Sequence, residues 1–312
     1  MPGAAFTVVM PAYNAERSIG PAIRSVLAQT RGDFELVVVD DGSTDGTADV
    51  VGSFADPRVR LVHQENLGLA AARNVGAARG DGQFVALLDS DDLWLPTFLE
   101  QMGSALAGDP TAGFAYTDAW VLDDRTRRIA RATAMRYQDP PESPPADPEE
   151  LLRALLRRNF VFTAATVRRS VFEGVGGYDG TLRASEDYEL WLRIAANGYR
   201  AVRAEGILAV YRKRAASLST DVRLMLTSER EVFRLVAEEY EVEQPVRDLA
   251  VARKRVRDVQ IASLNGERTA LGLAYEARKL VVGAKNRVLA PLAWRRVAPP
   301  EVAAAFPDLK TV

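Results

Sequence analysis

The chain has 312 residues, one His and no Cys, with 40 Lys+Arg against 42 Asp+Glu. Those counts exclude a disulfide scaffold, a Cys-ligated zinc or iron–sulfur centre, a thiol nucleophile and any site built on clustered His. A formal net charge of −2 argues against bulk nucleic-acid binding, and with acids this abundant any chemistry is expected to rest on carboxylates.

The first ninety residues alternate two kinds of segment. Phe6–Met10 (FTVVM) is a predicted strand, broken by Pro11. Ile19, Ile23, Val26 and Leu27 then fall on one face of a helix. Phe34–Val39 (FELVVV) is a second strand, stopped by Asp40-Asp41-Gly42-Ser43, and a helix is expected from near Thr44 toward Phe54. Val59–His63 is a third strand, Leu69–Ala78 an Ala-rich helix, and Phe84–Leu88 (FVALL) a fourth strand stopped by Asp89-Ser90-Asp91-Asp92. Strands alternating with helices imply parallel pairing through right-handed crossovers. Uninterrupted apolar strands imply a sheet covered on both faces.

Gly113–Asp118 is a fifth strand candidate, and sheet-like sequence resumes over Phe160–Val167. Between them, residues 138–150 hold five of the 16 prolines and five acids, which reads as an extended surface loop. Glu186–Asn197 is a helix with Leu190, Trp191, Ile194 and Ala195 on one face and Gly198 as its C-cap. From about Asp221 the chain turns helical and charged. The expected division is a catalytic domain over 1–220 and a helical C-terminal extension over 221–312. No run approaches about 18 consecutive apolar residues, so no membrane span is expected. The first residues lack a basic segment before an apolar one, so the expected location is the cytoplasm.

The acids carry the functional information. Three predicted strands end in polar punctuation: Pro11-Ala12-Tyr13-Asn14, Asp40-Asp41-Gly42-Ser43 and Asp89-Ser90-Asp91-Asp92. In an open parallel sheet the ligand crevice lies outside these carboxyl ends. Any one cluster is also an ordinary turn. Carboxylates drawn together repel unless something positive lies between them, and a hard divalent cation is the obvious candidate. Neither a G-x-G-x-x-G fingerprint after the first strand nor a G-x-x-x-x-G-K-[ST] loop is present.

Five stretches together resemble the family 2 glycosyltransferases of the GT-A fold: VVMPAYN (Val8–Asn14), ELVVVDDGSTDGT (Glu35–Thr47), ENLGLAAARNVGAARGDGQFVALLDSDDLWLP (Glu65–Pro96), VGGYDG (Val175–Gly180) and SEDYELWLRIAANGYR (Ser185–Arg200). The resemblance covers about the first 215 residues. It implies an α/β GT-A (Rossmann-like) fold, a mostly parallel central sheet flanked by helices, that moves a sugar from a nucleotide-sugar donor to an acceptor hydroxyl with inversion. It places Pro11, Tyr13 and Asn14 beside the nucleotide base and Asp41 on the base's edge, with Asp40 either joining it or supporting the turn. Asn66, Gly68 and Arg73 match the segment bordering the nucleotide. Arg73 either touches the donor or pairs with a sheet acid.

Asp89-Ser90-Asp91 matches the family's Asp-x-Asp motif. By resemblance Asp89 and Ser90 meet the donor, and Asp91 with Asp89 holds Mg²⁺ or Mn²⁺ against the diphosphate. Asp92 either orders water around the metal or caps the next helix. Asp187 is the expected base and Glu186 its positioning neighbour. A place at a helix start predicts that Asp187 stays ionised. Trp94 is either a sugar-stacking wall of the acceptor side or a core residue, and Asn159–Thr166 with Gly176-Gly177 are expected on that acceptor side. Where many relatives carry a metal-reaching His, this chain has Arg214 in Tyr211-Arg212-Lys213-Arg214. A guanidinium clamps phosphate but cannot ligate a cation. His63 is expected to be structural.

The expected donor is a UDP- or dTDP-sugar, and the expected acceptor a glycan, lipid-linked or small molecule, with no nucleic-acid partner. A sugar-phosphate nucleotidyltransferase and a non-catalytic nucleotide-sugar binder are the alternatives. Residues 265–300 hold seven Lys/Arg and two acids among Leu, Val and Trp. Such a stretch suits either peripheral contact with an anionic membrane or packing on the catalytic domain or in a homodimer.

Overall fold

A computed structural model describes residues 3–130, 133–135, 141–161, 164–214, 217–267 and 298–307. The first four strands are β1 (Phe6–Ala12), β2 (Phe34–Asp41), β3 (Val59–Gln64) and β4 (Phe84–Leu87), and all pair in parallel in the order β3-β2-β1-β4. Helices α1 (Ile19–Leu27), α2 (Thr47–Gly52) and α3 (Leu69–Ala78) make the crossovers. Next come β5 (Leu93–Trp94), α4 (Phe98–Gly108), β6 (Ala112–Asp123), β7 (Arg128–Ile129), α5 (Pro148–Arg157), β8 (Ala165–Arg168), α6 (Arg169–Gly174), α7 (Glu186–Ala196) and β9 (Arg200–Lys213). The described residues form one nine-stranded sheet, continuing from β4 through β8, β6, β9 and β5, with β7 paired to β6. Antiparallel pairs enter with β8, β5 and β7, while β6 and β9 run parallel.

The alternation of side chains puts the two faces of β1 into different cores. Phe6, Val8 and Met10 pack with Ile19, Ile23 and Val26 of α1 and with Phe98 and Met102 of α4. Val9 packs on the opposite face, in the cluster that holds Leu151, Leu155, Trp191 and Ile194. Both faces are therefore covered, as the unbroken apolar strands require.

Three sequence expectations need correction. Pro11 does not break β1, which continues to Ala12. The carbonyls of Ala5 and Val9 accept from Phe84 and Leu88 of the β4 segment, so odd-numbered residues of β1 face β4. That ladder has ended by Pro11, so its missing N–H costs no hydrogen bond. The loop expected over 138–150 gives way to α5 at Pro148, where Asp147 caps the helix by accepting from the Glu150 N–H at 2.9 Å and Pro148 takes the first helical position. The 14-residue β9 has no counterpart in the predicted elements, because its sequence RAVRAEGILAVYRK has no clean alternation and carries Gly206 at φ +90°.

After β9 come α8 (Val222–Glu238) and α9 (Gln244–Leu264), which pack together and against α7 and α5, and then α10 (Pro300–Ala305). Val302 of α10 joins Leu93, Trp120, Leu122 and Val210 in a small apolar cluster on the sheet. The basic stretch expected over 265–300 lies outside the described residues from 268 to 297.

Helix α3 lies close on the sheet because Gly76 faces it. A Cβ there would stand 2.5 Å from Val9 Cγ1. Helix propensity favours Ala over Gly by about 1 kcal/mol, whereas overpacking a rigid core costs about 1–3 kcal/mol. Val9 is fully buried in a central strand and cannot yield. Gly76→Ala is therefore expected to lower unfolding free energy by on the order of 1 kcal/mol in urea titrations, and an unchanged or raised midpoint contradicts this packing.

Candidate active site

The candidate site gathers at the carboxyl end of β4, where residues 89–92 meet Arg73 of α3, the start of α7 and the end of β9. Its organising contact is Arg73, on α3 and 2% exposed. One guanidinium nitrogen donates to Asp89 Oδ1 at 2.6 Å, and another donates to Glu186 Oε1. The guanidinium also lies 5.2 Å from the centroid of the Tyr178 ring. Of the two roles open to Arg73, the structure gives it pairing with acids. Asp89 follows β4 and Glu186 begins α7, so this one side chain joins the two halves of the site.

Tyr178 is set by the VGGYDG turn. Asn74, one residue after Arg73, donates to the Tyr178 carbonyl at 2.9 Å and accepts from its N–H at 2.8 Å. Gly177 has φ +70°, and a Cβ on it would stand 2.6 Å from Asn74 Oδ1. Arg193 of α7 donates to the carbonyls of Val175 and Gly177. The paired glycines thus shape the loop that carries Tyr178 under Arg73.

Asp187 follows Glu186 on the first turn of α7. Its carboxylate accepts from the Tyr188 N–H at 2.7 Å. The expectation that the helix start keeps it readily ionised is overturned. Burial, reinforced by the neighbouring Glu186, pushes its pKa up to about 7. Desolvation outweighs both the helix terminus and the more distant Arg73. The preceding Ser185 takes the left-handed conformation at φ 60°, a backbone state that costs a non-glycine residue about 1–2 kcal/mol. That strain turns the chain so that Glu186 points at Arg73.

The acidic run after β4 divides its labour. Asp91 Oδ2 lies 2.6 Å from Arg214 Nη2. Burial and the nearby Asp89 raise the Asp91 pKa, against the opposing pull of Arg214. Asp92 neither caps the next helix nor faces the crevice. It is buried and accepts from the Arg212 N–H at 2.8 Å, while α4 begins only at Phe98 after Thr97. Burial, then Asp91 and Asp89, push its pKa well above the usual carboxylate value. Trp94 is not a crevice wall. It is 1% exposed and stacks on Phe98 with ring centroids 3.9 Å apart, because β5 turns it into the core against α4. Ser90 sits partly exposed between the two acids of the motif.

On the nucleotide side, Tyr13 is 53% exposed and presents a free ring, whereas Pro11 is buried within β1 and presents none. Asn14, at φ 49°, accepts from the Thr44 N–H at 2.8 Å, and its own N–H donates to Ser43. Asp41 is turned inward. It accepts from Gln64 Nε2 at 2.7 Å and from the N–H groups of Leu67 at 2.8 Å and Gly68 at 2.9 Å. It therefore fixes the loop that exposes Asn66 and Leu67. Asp40 supports the turn, accepting from the Ser43 N–H at 3.0 Å, and contacts His63 at 3.2 Å. Of the acceptor-side stretch, residues 162–163 lie outside the described residues.

Sequence reasoning missed three participants: Tyr178 beneath Arg73, the Asp92–Arg212 tie and the strained Ser185. Tyr178 lay inside a quoted motif and was findable there. The tie spans 120 residues and has no local signal.

The family model for glycosyl transferase family 2 matches residues 7–176. The chain belongs to that family. A curated relative, the UDP-Glc:alpha-D-GlcNAc-diphosphoundecaprenol beta-1,3-glucosyltransferase WfgD of Escherichia coli, is 31% identical over 219 residues, covering 69% of this chain and 79% of that one. The curated relatives are spanned unevenly, over 13% to 81% of their own lengths. Among solved structures, S. aureus TarS 1-349 in complex with UDP-GlcNAc superposes with a TM-score of 0.66 at 19% identity, over 84% of this chain and 74% of that one. The mannosyltransferase PcManGT from Pyrobaculum calidifontis, in complex with GDP-Man and Mn²⁺, superposes with a TM-score of 0.60 at 21% identity, over 89% and 80%. The fold is thus the expected GT-A type, and the chain is a glycosyltransferase acting on nucleotide sugars. Family membership sets aside the nucleotidyltransferase and non-catalytic alternatives.

Arg73 should be indispensable to the fold as well as to the site. Removing one partner of a buried ion pair costs about 3–5 kcal/mol, because the other charge stays buried. Arg73→Met is expected to lose that much in urea unfolding. Adding Glu186→Gln should restore part of it. A second substitution that only adds to the loss would contradict the pairing.

Proposed function

We propose that this glycosyltransferase inverts the anomeric centre by direct displacement, with Asp187 as base and a divalent cation on the donor diphosphate. One observation carries the reading: Asp187 stands on the first turn of α7 beside Glu186, which Arg73 joins to Asp89, and there burial and Glu186 raise its pKa to about 7. A base is most effective when its pKa lies near the working pH. The acceptor oxygen attacks the anomeric carbon as its proton passes to an Asp187 carboxylate oxygen. The bond from that carbon to the diphosphate oxygen breaks, and its electron pair leaves on the diphosphate.

The residues fit a cation of the Mg²⁺ or Mn²⁺ kind. Asp89 and Asp91 stand two residues apart just after β4, where burial and then Asp89 raise the Asp91 pKa. No group of three His, Cys, Asp or Glu able to hold a metal occurs among the described residues. Mg²⁺ suits this, since it binds through one or two carboxylates with phosphates and water completing its shell. Asp91, assisted by Asp89, would hold it, and it would supply positive charge to the departing diphosphate. Arg214 would lie against the same diphosphate. Tyr13 would stack on the base, with Asn14, Asp41, Asn66 and Ser90 bordering the donor.

The names of relatives support the remaining choices. WfgD is a UDP-Glc-dependent relative and TarS is seen in complex with UDP-GlcNAc, so a UDP-sugar is the proposed donor class, with a dTDP-sugar next. WfgD's name specifies a diphosphoundecaprenol-linked acceptor, which favours a lipid-linked glycan for an envelope polysaccharide. No helix among the described residues is long and apolar enough to cross a membrane. The proposed arrangement is a catalytic domain over 1–220, with residues 221–312 serving acceptor, dimer or membrane-surface contacts at the inner face of the cell membrane.

Asp187→Asn tests the base by two readings. Transfer should fall by about 10²–10⁴-fold with UDP binding retained, and wild-type kcat/KM should rise with pH through about 7. The folded pKa stands above the unfolded one, so the group's stabilisation is complete at low pH and lost as pH rises through about 7. The Asn variant should therefore melt higher than wild type at pH 8, by less as pH falls toward the unfolded value of 3.8, and gain little only below about pH 4. Full activity of the variant would exclude Asp187 as base.

A further inference from the structure

The last residue of the basic run, Arg214, has a second role that its phosphate chemistry alone does not suggest. Strand β9 stays paired with β6 up to Asp123 and Lys213. Its end is then fastened to the acidic loop by the Arg212 N–H on buried Asp92. The Arg212 side chain is spent elsewhere, donating to Asp124 at 2.5 Å and 3.2 Å. Two residues beyond that fastening, Arg214 is delivered onto Asp91 at 2.6 Å. The contact is therefore set by strand register rather than by a chance surface encounter. Asp91 is one-fifth exposed and Arg214 about one-third exposed, so the pair is formed yet free to part.

Each carboxylate of the Asp-x-Asp motif already has a guanidinium: Arg73 on Asp89 and Arg214 on Asp91. Asp92 is buried and taken up by the Arg212 N–H. A divalent cation arriving alone must displace Arg214 and then stand beside an unpaired positive charge. A nucleoside diphosphate removes both difficulties, because its oxygens take the guanidinium and join the cation's shell together.

We infer that Arg214 is a counter-ion exchanged on Asp91 for the divalent cation when the nucleotide diphosphate binds, so that cation and donor enter as a linked pair. The inference rests on the proposed cation site and adds the order of its filling. Coupling of this kind is reciprocal: whatever factor the nucleotide adds to cation affinity, the cation adds to nucleotide affinity.

The test is Mn²⁺ binding, read from the paramagnetic resonance signal of free Mn²⁺, on the full chain with and without UDP. Wild type should bind Mn²⁺ weakly alone and at least about tenfold more tightly with UDP. Arg214→Ala should bind Mn²⁺ alone about tenfold more tightly than wild type and lose most of the UDP effect. Arg214→Lys keeps the charge and should stay weak without UDP. If Arg214→Ala binds Mn²⁺ alone no better than wild type, the exchange is overturned. Asp91→Asn separates the two ideas: it should abolish the UDP-dependent binding, and if it leaves that binding intact the cation site itself is misplaced.

Discussion

The site depends on one buried cation. Arg73 is out of water, and a charge there is tolerable only because Asp89 and Glu186 both accept from it. That requirement ties the donor end of β4 to the catalytic helix α7. It also distinguishes two neighbouring acids. Glu186 is engaged by Arg73, while Asp187 beside it accepts, among the described residues, from the Tyr188 N–H. The two neighbours thus differ in environment because a single guanidinium reaches one of them.

A second constraint closes the crevice from the other side. The long β9 ends on the loop after β4, held there by Arg212 and Asp92. Burial, with Asp91 and Asp89 nearby, raises the Asp92 pKa well above the usual carboxylate value, and its carboxyl ties the loop to the backbone of β9. The same tie places Arg214 on Asp91. The carboxylates Asp89, Asp91 and Glu186, their guanidinium partners and the buried Asp92 are therefore parts of one electrostatic arrangement. Tyr13 and the Asn66–Leu67 loop stand apart from it, held out toward solvent by the hydrogen bonds of Asp41 and Asn14.

Much of this was legible in the chain. The Leu69–Ala78 helix is found with the expected ends, and β1 to β4 lie where the apolar runs put them, each within a few residues. Their cores are local and periodic, so spacing alone reports them. The gathering of acids at the carboxyl ends of the strands follows from parallel topology. β9 was not legible, since its pairing with β6 compensates for a weak pattern and a glycine at positive φ. Trp94 could not be placed by sequence either: an aromatic after an acidic turn suits a sugar or a core equally, and only its stacking on Phe98 decides.

The sequence by itself established an α/β chain with an acid-lined crevice, the family it resembles and the near balance of acids and bases. Tertiary structure alone decided how those charges pair. Arg73 meets Glu186 across 113 residues, Arg214 turns onto Asp91, and burial raises the Asp92 pKa. The reason is physical. Periodicity along a chain reports which face of an element avoids water. The ionisation and partner of a carboxylate depend on desolvation and on charges brought from distant segments, and those exist only once the sheet has closed.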